Sequence, residues 1–195
     1  MKKIISLFQR DYAGDRLVRN ELTPGAEWVV AGEGIATRKF DGTCCMIRGG
    51  RLFKRYEGKQ GGKFPADFEA ATEADPVTHK IQGWVPVGHG SEDQWHREAW
   101  ETMSLRDIDG VSRPNAVPTY FKDATYELVG PKVQGNPERY QHHTLVKHGE
   151  YLLRDAPRDF EGLKSYLEAS DFEGIVWHHP DGRMVKIKRR DFFKS

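Results

Sequence analysis

Twice in this chain, two short apolar runs are separated by a turn so brief that the backbone must reverse on itself. Residues 44–47 and 52–56 are joined through Gly49-Gly50, and residues 174–178 and 183–188 through Pro180-Asp181-Gly182. Glycine pairs and Pro-Asp-Gly supply the backbone conformations that tight hairpin turns require. Strands joined this way are antiparallel. The remaining segments intersperse strand-like and helix-like patterns, so the expected class is α+β, with antiparallel sheets flanked by helices.

Along the chain, residues 4–8 and 28–31 have strand character, and residues 11–24 form a charged, irregular excursion. Residues 58–63 are glycine-rich with lysines but fit no phosphate-binding loop spacing, so a mobile linker is expected. Residues 66–74 suit a short helix, and residues 84–87, with Pro86, an edge strand. Ser91-Glu92-Asp93-Gln94 resembles a capping box. Trp95, Ala99 and Met103 then recur at helical spacing as a buried stripe, which places His96 and Glu101 on a solvated face. Residues 120–129 return to strand character. Residues 157–169 form an amphipathic helix, with Asp155 before it, Pro157 in its first turn, and Phe160, Leu163, Tyr166 and Leu167 as its stripe.

A chain of 195 residues is long enough for one compact domain, expected here over residues 1–195. The net charge of +1 excludes an argument from overall charge to nucleic-acid binding, but the charge is unevenly laid out. Arg183, Lys186, Lys188, Arg189, Arg190 and Lys194 crowd the last residues against Asp181 and Asp191, whereas acids dominate residues 66–110. A phosphate-facing surface and a solvated basic tail both fit this layout. The two cysteines, Cys44 and Cys45, are adjacent, point to opposite faces of a strand, and so read as reduced thiols of a cytoplasmic protein. His142, His143 and His148 lack the acids or cysteines that would complete a metal site. The N-terminal apolar run is too short for a signal peptide, and no stretch spans a membrane, so no membrane partner is expected.

Charge inside strands is more informative. Lys186 and Lys188 flank Ile187, so both ammonium groups project from one face. Neighbouring like charges repel, and such a face is either open to water or occupied by an anion. Glu173 precedes the strand Gly174-Ile175-Val176, and Glu127 lies within Tyr126-Glu127-Leu128-Val129-Gly130. Arg55 follows Lys54 after the first hairpin. Lys39 sits between two strand-like apolar runs, in a loop tightened by Asp41-Gly42, as either a surface hairpin charge or a fixed nucleophile.

Taken in order, these residues resemble the motifs of the covalent nucleotidyltransferase superfamily of polynucleotide ligases and messenger-RNA capping enzymes. Lys39-Phe40-Asp41-Gly42 is similar to the first motif, Lys54-Arg55 to the next, Glu127 with Gly130 to the third, Glu173-Gly174-Ile175-Val176 to the fourth and Lys186-Ile187-Lys188 to the fifth. The 83–87 segment, the 126–132 run and the Lys186-Ile187-Lys188-Arg189 ending look like a small, single-domain type of ATP-dependent RNA ligase. That resemblance implies an ATP-grasp-like ligase adenylation domain without an OB-fold, since only residues 189–195 follow the last motif.

It further implies that Lys39 attacks the α-phosphorus of ATP to form a lysyl-adenylate, after which AMP passes to an RNA 5′-phosphate and a 3′-hydroxyl displaces it. Lys186 and Lys188 would join Lys39 as catalytic residues, lowering its proton affinity and stabilising phosphate charge. Thr37, Asp41, Arg55, Glu127 and Glu173 would bind ATP. Glu173 would serve Mg²⁺ or Mn²⁺. Lys54 and Arg51 rival Arg55 for its role, and Tyr140 and positions near Leu145 are candidates for stacking on adenine. RNA is the implied partner of a monomer, with DNA or an RNA–DNA hybrid as the alternative substrate and room for an accessory RNA-repair protein. A non-catalytic nucleotide- or RNA-binding module is the alternative of a different class.

Overall fold

The computed structural model describes residues 4–105 and 122–193. In chain order its elements are strands β1 (Ile5–Ser6), β2 (Phe8–Arg10) and β3 (Val18–Leu22), helix α1 (Glu27–Val30), and strands β4 (Ile35–Lys39), β5 (Thr43–Arg48), β6 (Arg51–Lys59), β7 (Glu69–Ala70) and β8 (Lys80–Pro86). Helix α2 (Gln94–Leu105), strands β9 (Ala124–Val129) and β10 (Thr144–Lys147), helix α3 (Phe160–Glu168), and strands β11 (Gly174–His178) and β12 (Met184–Lys188) follow. Few helices and mainly antiparallel sheets make this an α+β chain. It divides into two compact units, a split unit of Lys3–Phe40 with Gly149–Ser195 and a central unit of Asp41–His148.

The split unit is built on the sheet β1-β12-β11-β4, in which β1 runs parallel to β12 and the other pairs are antiparallel. Gly182, at φ +88°, makes the turn between β11 and β12. Period-two alternation sends Ala36, Ile175, Trp177, Val185 and Ile187 into a core shared with Trp28 and Val29 of α1 and Leu163 and Leu167 of α3. Burying each leucine side chain stabilises the unit by about 2 kcal/mol. The other face of the sheet is left to Thr37, Lys39, Val176, Lys186 and Lys188.

Several sequence expectations change in this unit. Residues 28–31 do not form a strand; Glu27–Val30 is one helical turn, ended at Gly32 with φ +92°. Its carbonyls are met locally, with Ala31 N donating to Glu27 O at 3.1 Å, Glu33 N to Trp28 O at 2.9 Å and Gly32 N to Val29 O at 3.1 Å. Arg158 ties down the loop that follows, donating to Val29 O at 2.8 Å, Glu33 O at 2.6 Å and Gly34 O at 2.9 Å. The 4–8 run divides at Leu7, which donates to Lys186 O at 2.8 Å and accepts from Thr23 N at 2.9 Å. Part of the 11–24 excursion is β3, paired with β2. Helix α3 begins after Asp159, whose carboxylate accepts from Gly162 N at 2.8 Å; Pro157 lies outside it.

The central unit holds the antiparallel sheet β10-β9-β5-β6-β8-β7. Gly49 and Gly50, both at positive φ, turn β5 into β6. Cys45, Ile47, Leu52, Tyr126, Leu128 and Leu145 form its core with Ala99, and Trp95 and Met103 of α2 pack against them. Leu145, 3% exposed in that core, is not available to stack on adenine. Glycines 58 and 62 do not bound a linker, because β6 continues through Lys59. Residues 66–74 are not helical: β7 pairs with β8, and the Phe64 and Phe68 rings stack beside Tyr56. Bare Gly83 admits this packing, since a Cβ there would lie 2.4 Å from the Phe68 ring. Trp84 therefore lies on an internal strand, with β7 outside it.

A 3-10 turn at Ser91–Asp93 precedes α2, and no side-chain capping bond is made there. Asp93, 1% exposed, instead accepts from Gly88 N at 2.7 Å and pairs with Lys54 Nζ at 2.5 Å. His96 is buried beside this pair rather than solvated, and burial pushes its pKa down. The beginning of the strand expected at Tyr120 lies outside the described residues, as do Lys194 of the basic tail and the first residues of the N-terminal run. No helix among the described residues is long and apolar enough to cross a membrane.

Candidate active site

In the split unit the site is a consequence of register. Gly174 on β11 is the cross-strand partner of Lys39 on β4 and of Lys188 on β12. The next row is Thr37, Val176 and Lys186. Three lysines thus share one sheet face. Gly174 keeps the row closed: a Cβ there would lie 2.2 Å from Ile187 O and 2.8 Å from Lys188 Cα. Lys39 is the last residue of a strand, not part of the turn, so its backbone is fixed by the sheet.

Glu173, just before β11, gathers the charges. Its Oε2 lies 2.5 Å from Lys39 Nζ, and its Oε1 pairs with Lys188 Nζ. Lys39 Nζ also donates to Phe40 O at 3.3 Å. Lys186 makes no ion pair among the described residues. Burial, then Lys188, then Lys39 pull its pKa down to about 8. Three ammonium groups against one carboxylate make a face suited to a polyanion. Thr37, 2% exposed, has its hydroxyl committed within the sheet: it donates to Val176 O at 3.1 Å, and His178 Nε2 lies 3.1 Å away. Below the row, Asp191 accepts from Lys188 N at 2.9 Å and pairs with Arg10, which steadies the end of β12.

The central unit carries the second set on the sheet face opposite α2. Cys44 and Glu127 are cross-strand partners, and Arg55 follows on β6 with an interaction with the Cys44 thiol. Glu127 accepts from Gly42 N at 3.2 Å through Oε1, and its Oε2 lies 2.8 Å from His148 Nε2. His148 Nδ1 in turn lies 2.9 Å from Thr125 Oγ1. Gly42 allows this approach, because a Cβ there would sit 2.1 Å from Leu128 O. Asp41 N donates to Glu138 Oε1 at 2.9 Å. Arg55 bonds Gln82, whereas its rival Lys54 points to the opposite face, opposite Cys45, and is held by Asp93. Arg51 is exposed at the hairpin.

The structure therefore brings Lys39, Glu173, Lys186 and Lys188 together in one unit, and Arg55 and Glu127 together in the other. Thr125 and Gln82 were not singled out from the sequence, Asp191 was noted there only as a counter-charge to the basic tail, and His148 only as one of a histidine group. Period two from Val146 puts His148 on Val146's face, but only the pairing of Val146 with Glu127 makes that meaningful. The histidine group at 142–148 is divided: His143 Nδ1 lies 2.8 Å from Glu98, and its ring stacks on Trp95.

Comparison with known proteins bears on the chemistry. The sequence model of a family described as RNA ligase 1 matches residues 67–193, which include Glu127, Glu173, Lys186 and Lys188 and begin after Lys39 and Arg55. RNA ligase 1 of Rattus norvegicus is 29% identical over 217 aligned residues, covering 80% of this chain and 66% of that protein. RNA ligase 1 of Danio rerio is 27% identical over 213 residues, covering 79% and 66%, and that of Mus musculus is 29% identical over 217, covering 80% and 65%. The chain thus spans slightly less than two thirds of the length of these curated relatives.

Proposed function

The chain belongs to the RNA ligase 1 family, and on that premise we propose that it is an ATP-dependent RNA ligase joining 5′-phosphate and 3′-hydroxyl ends through a lysyl-AMP intermediate. The observation that carries this reading is the row Lys39, Gly174, Lys188, with Lys186 in the adjacent row and Glu173 bridging two of the ammonium groups. A nucleophile on a strand end is positioned by backbone hydrogen bonds rather than by a loop, which lowers the entropic cost of reaching attack geometry.

In the first step, the Lys39 ammonium gives up one proton to free its lone pair, Nζ forms a bond to the α-phosphorus as the bond to the pyrophosphate oxygen breaks, and a second Nζ proton leaves to solvent or to the departing pyrophosphate. Glu173 Oε2, 2.5 Å from Nζ, is the nearest acceptor shown for the first proton. Lys186 and Lys188 place positive charge where it accumulates on phosphate oxygens, and burial strengthens that interaction. Arg55 and Glu127 are assigned to the nucleotide's phosphate or ribose oxygens, the carboxylate accepting from a ribose hydroxyl. In the second step AMP moves to the 5′-phosphate of RNA, and in the third a 3′-hydroxyl forms the phosphodiester and releases AMP.

The residues fit a divalent cation only together with the nucleotide. One carboxylate already shared by two ammonium groups would not hold a bare ion, whereas Mg²⁺ commonly takes one carboxylate along with substrate phosphates and water. Glu173 is the residue to contact it, and when bound the ion neutralises phosphate charge.

Incubation with α-labelled ATP tests the reading. The intact protein is expected to acquire a covalent, acid-labile AMP label that Lys39→Ala abolishes, and to seal 5′-phosphorylated RNA. Absence of label from ATP across Mg²⁺ and Mn²⁺, or undiminished label in Lys39→Ala, would overturn it. Label with sealing of DNA ends only would reassign the substrate, and label from GTP alone would point to capping-type chemistry.

A further inference from the structure

From the approach of a thiol, a carboxylate and an imidazole on the polar face of the central sheet, we propose that Cys44, Glu127 and His148 form a binding site for a borderline-soft divalent cation of the Zn²⁺ class. The Cys44 Sγ, a Glu127 carboxylate oxygen and a His148 ring nitrogen all lie within 4.8 Å of one another. In a tetrahedral site, zinc bonds of about 2.0–2.3 Å set ligand-to-ligand gaps of about 3.3–3.6 Å, so side-chain rotations that draw the ligand atoms in by up to about 1 Å seat the ion. Three protein ligands leave a fourth position for water.

The contacts behind the ligands are those a metal site uses. His148 Nδ1 lies 2.9 Å from Thr125 Oγ1 and Nε2 lies 2.8 Å from Glu127 Oε2, so the tautomer that donates Nδ1–H to Thr125 turns the Nε2 lone pair toward the carboxylate, ready to ligate a metal. In the other tautomer Nε2–H donates to the carboxylate, and metal binding exchanges that hydrogen bond for two bonds to the ion, with the ring proton moved to Nδ1. Gly42 N holds the other carboxylate oxygen, fixing Glu127 as an outer-shell donor fixes a ligating carboxylate. A thiolate and a carboxylate together balance the charge of a divalent ion, and neutral imidazole completes the set. Cys44 is half-buried, which admits an ion from solvent. Burial, then Glu127, push its thiol up to about 11, so binding at neutral pH releases the thiol proton to water as the S–metal bond forms. Softness follows from the sulfur: thiolate and imidazole select Zn²⁺ and its neighbours over Mg²⁺.

This set differs in donors and in unit from the Glu173 position assigned to the nucleotide's cation. Because Glu127 is also assigned to the nucleotide, cation and nucleotide would compete for Oε2. The inference itself rests on the three side chains and not on ligase activity.

Cobalt titration of the untagged full chain, followed by absorbance, tests it. Co²⁺ is expected to give a thiolate-to-cobalt charge-transfer band that Zn²⁺ abolishes at one equivalent and excess Mg²⁺ leaves intact. Cys44→Ser should lose the band. Cys45→Ser should keep it, because that thiol is fully buried on the other face. His148→Ala should weaken Co²⁺ binding at least about tenfold, on the scale of altered metal-site shells. Absence of a sulfur band in the wild-type protein, or its survival in Cys44→Ser, would overturn the proposal. Cobalt held by other histidines would give no sulfur band and therefore counts against it. The ligase reading is untouched by either result, since AMP labelling at Lys39 is measured separately.

Discussion

Lys186 is expected to cost stability in order to serve the phosphate-facing row, and replacing it with methionine should show this. Its pKa falls from 10.5 to about 8, through burial first, then Lys188 and Lys39. At about 1.4 kcal/mol per unit the shift corresponds to about 3 kcal/mol, which partial solvent screening reduces to about 1–3 kcal/mol. The sign follows from linkage. The folded value lies below the unfolded one, so between pH 8 and 10.5 the unfolded chain binds more protons and stability rises with pH. Below pH 8 the full penalty is present. Lys186→Met keeps the volume and removes the charge, and Lys186 has no salt-bridge partner among the described residues to be stranded. Urea unfolding monitored by tryptophan fluorescence should therefore show the variant more stable by about 1–3 kcal/mol at pH 7, with the gain shrinking as pH passes 8 toward 10.5. AMP labelling should fall about 100-fold or more, as for removal of an electrostatic stabiliser. A variant less stable than wild type at pH 7, or a gain independent of pH, would refute the reasoning.

Gly174→Ala should destabilise the split unit by about 2–3 kcal/mol and suppress AMP labelling, because the new Cβ would press on β12 backbone at 2.2 Å; thermal unfolding and the labelling assay check both. Lys54→Ala should cost about 3–5 kcal/mol by stranding buried Asp93, whereas Arg55→Met should leave the unfolding midpoint nearly unchanged and weaken ATP binding measured by calorimetry. Arg158→Ala should cost about 1–3 kcal/mol in denaturant unfolding through the loss of its bonds to the Glu33 and Gly34 carbonyls after α1.

Much of the site was legible because it is written in strand periodicity. Lys186 and Lys188 share a face whatever the sheet around them, and Ile187 must go the other way. The same rule separated Cys44 from Cys45 and, with the hairpin at Gly49-Gly50, could have separated Arg55 from Lys54. Segments that failed were those whose partners lie far off in sequence. Glu27–Val30 turns as a helix whose following loop is held by Arg158 from far along the chain, and residues 69–70 are a strand because β8 offers an edge. His96 was placed on a solvated face by helical spacing, but the Lys54–Asp93 pair and the start of α2 close over it. His148 looked like one of three histidines, and only the β9–β10 register sets it against Glu127.

The sequence by itself determined which residues carry charge on which side of each strand, where the hairpins turn, and which glycines precede and follow the critical acids. Those properties are local, fixed by backbone period and by turn chemistry over a few residues. Only the tertiary structure decided that Lys39 and Lys188 flank Gly174, that Glu173 joins them, and that Cys44, Glu127 and His148 converge. Such meetings depend on pairing register between strands far apart in the chain, 135 positions between Lys39 and Gly174. Register is set by the burial of whole sheet faces, and no short stretch of sequence contains that information.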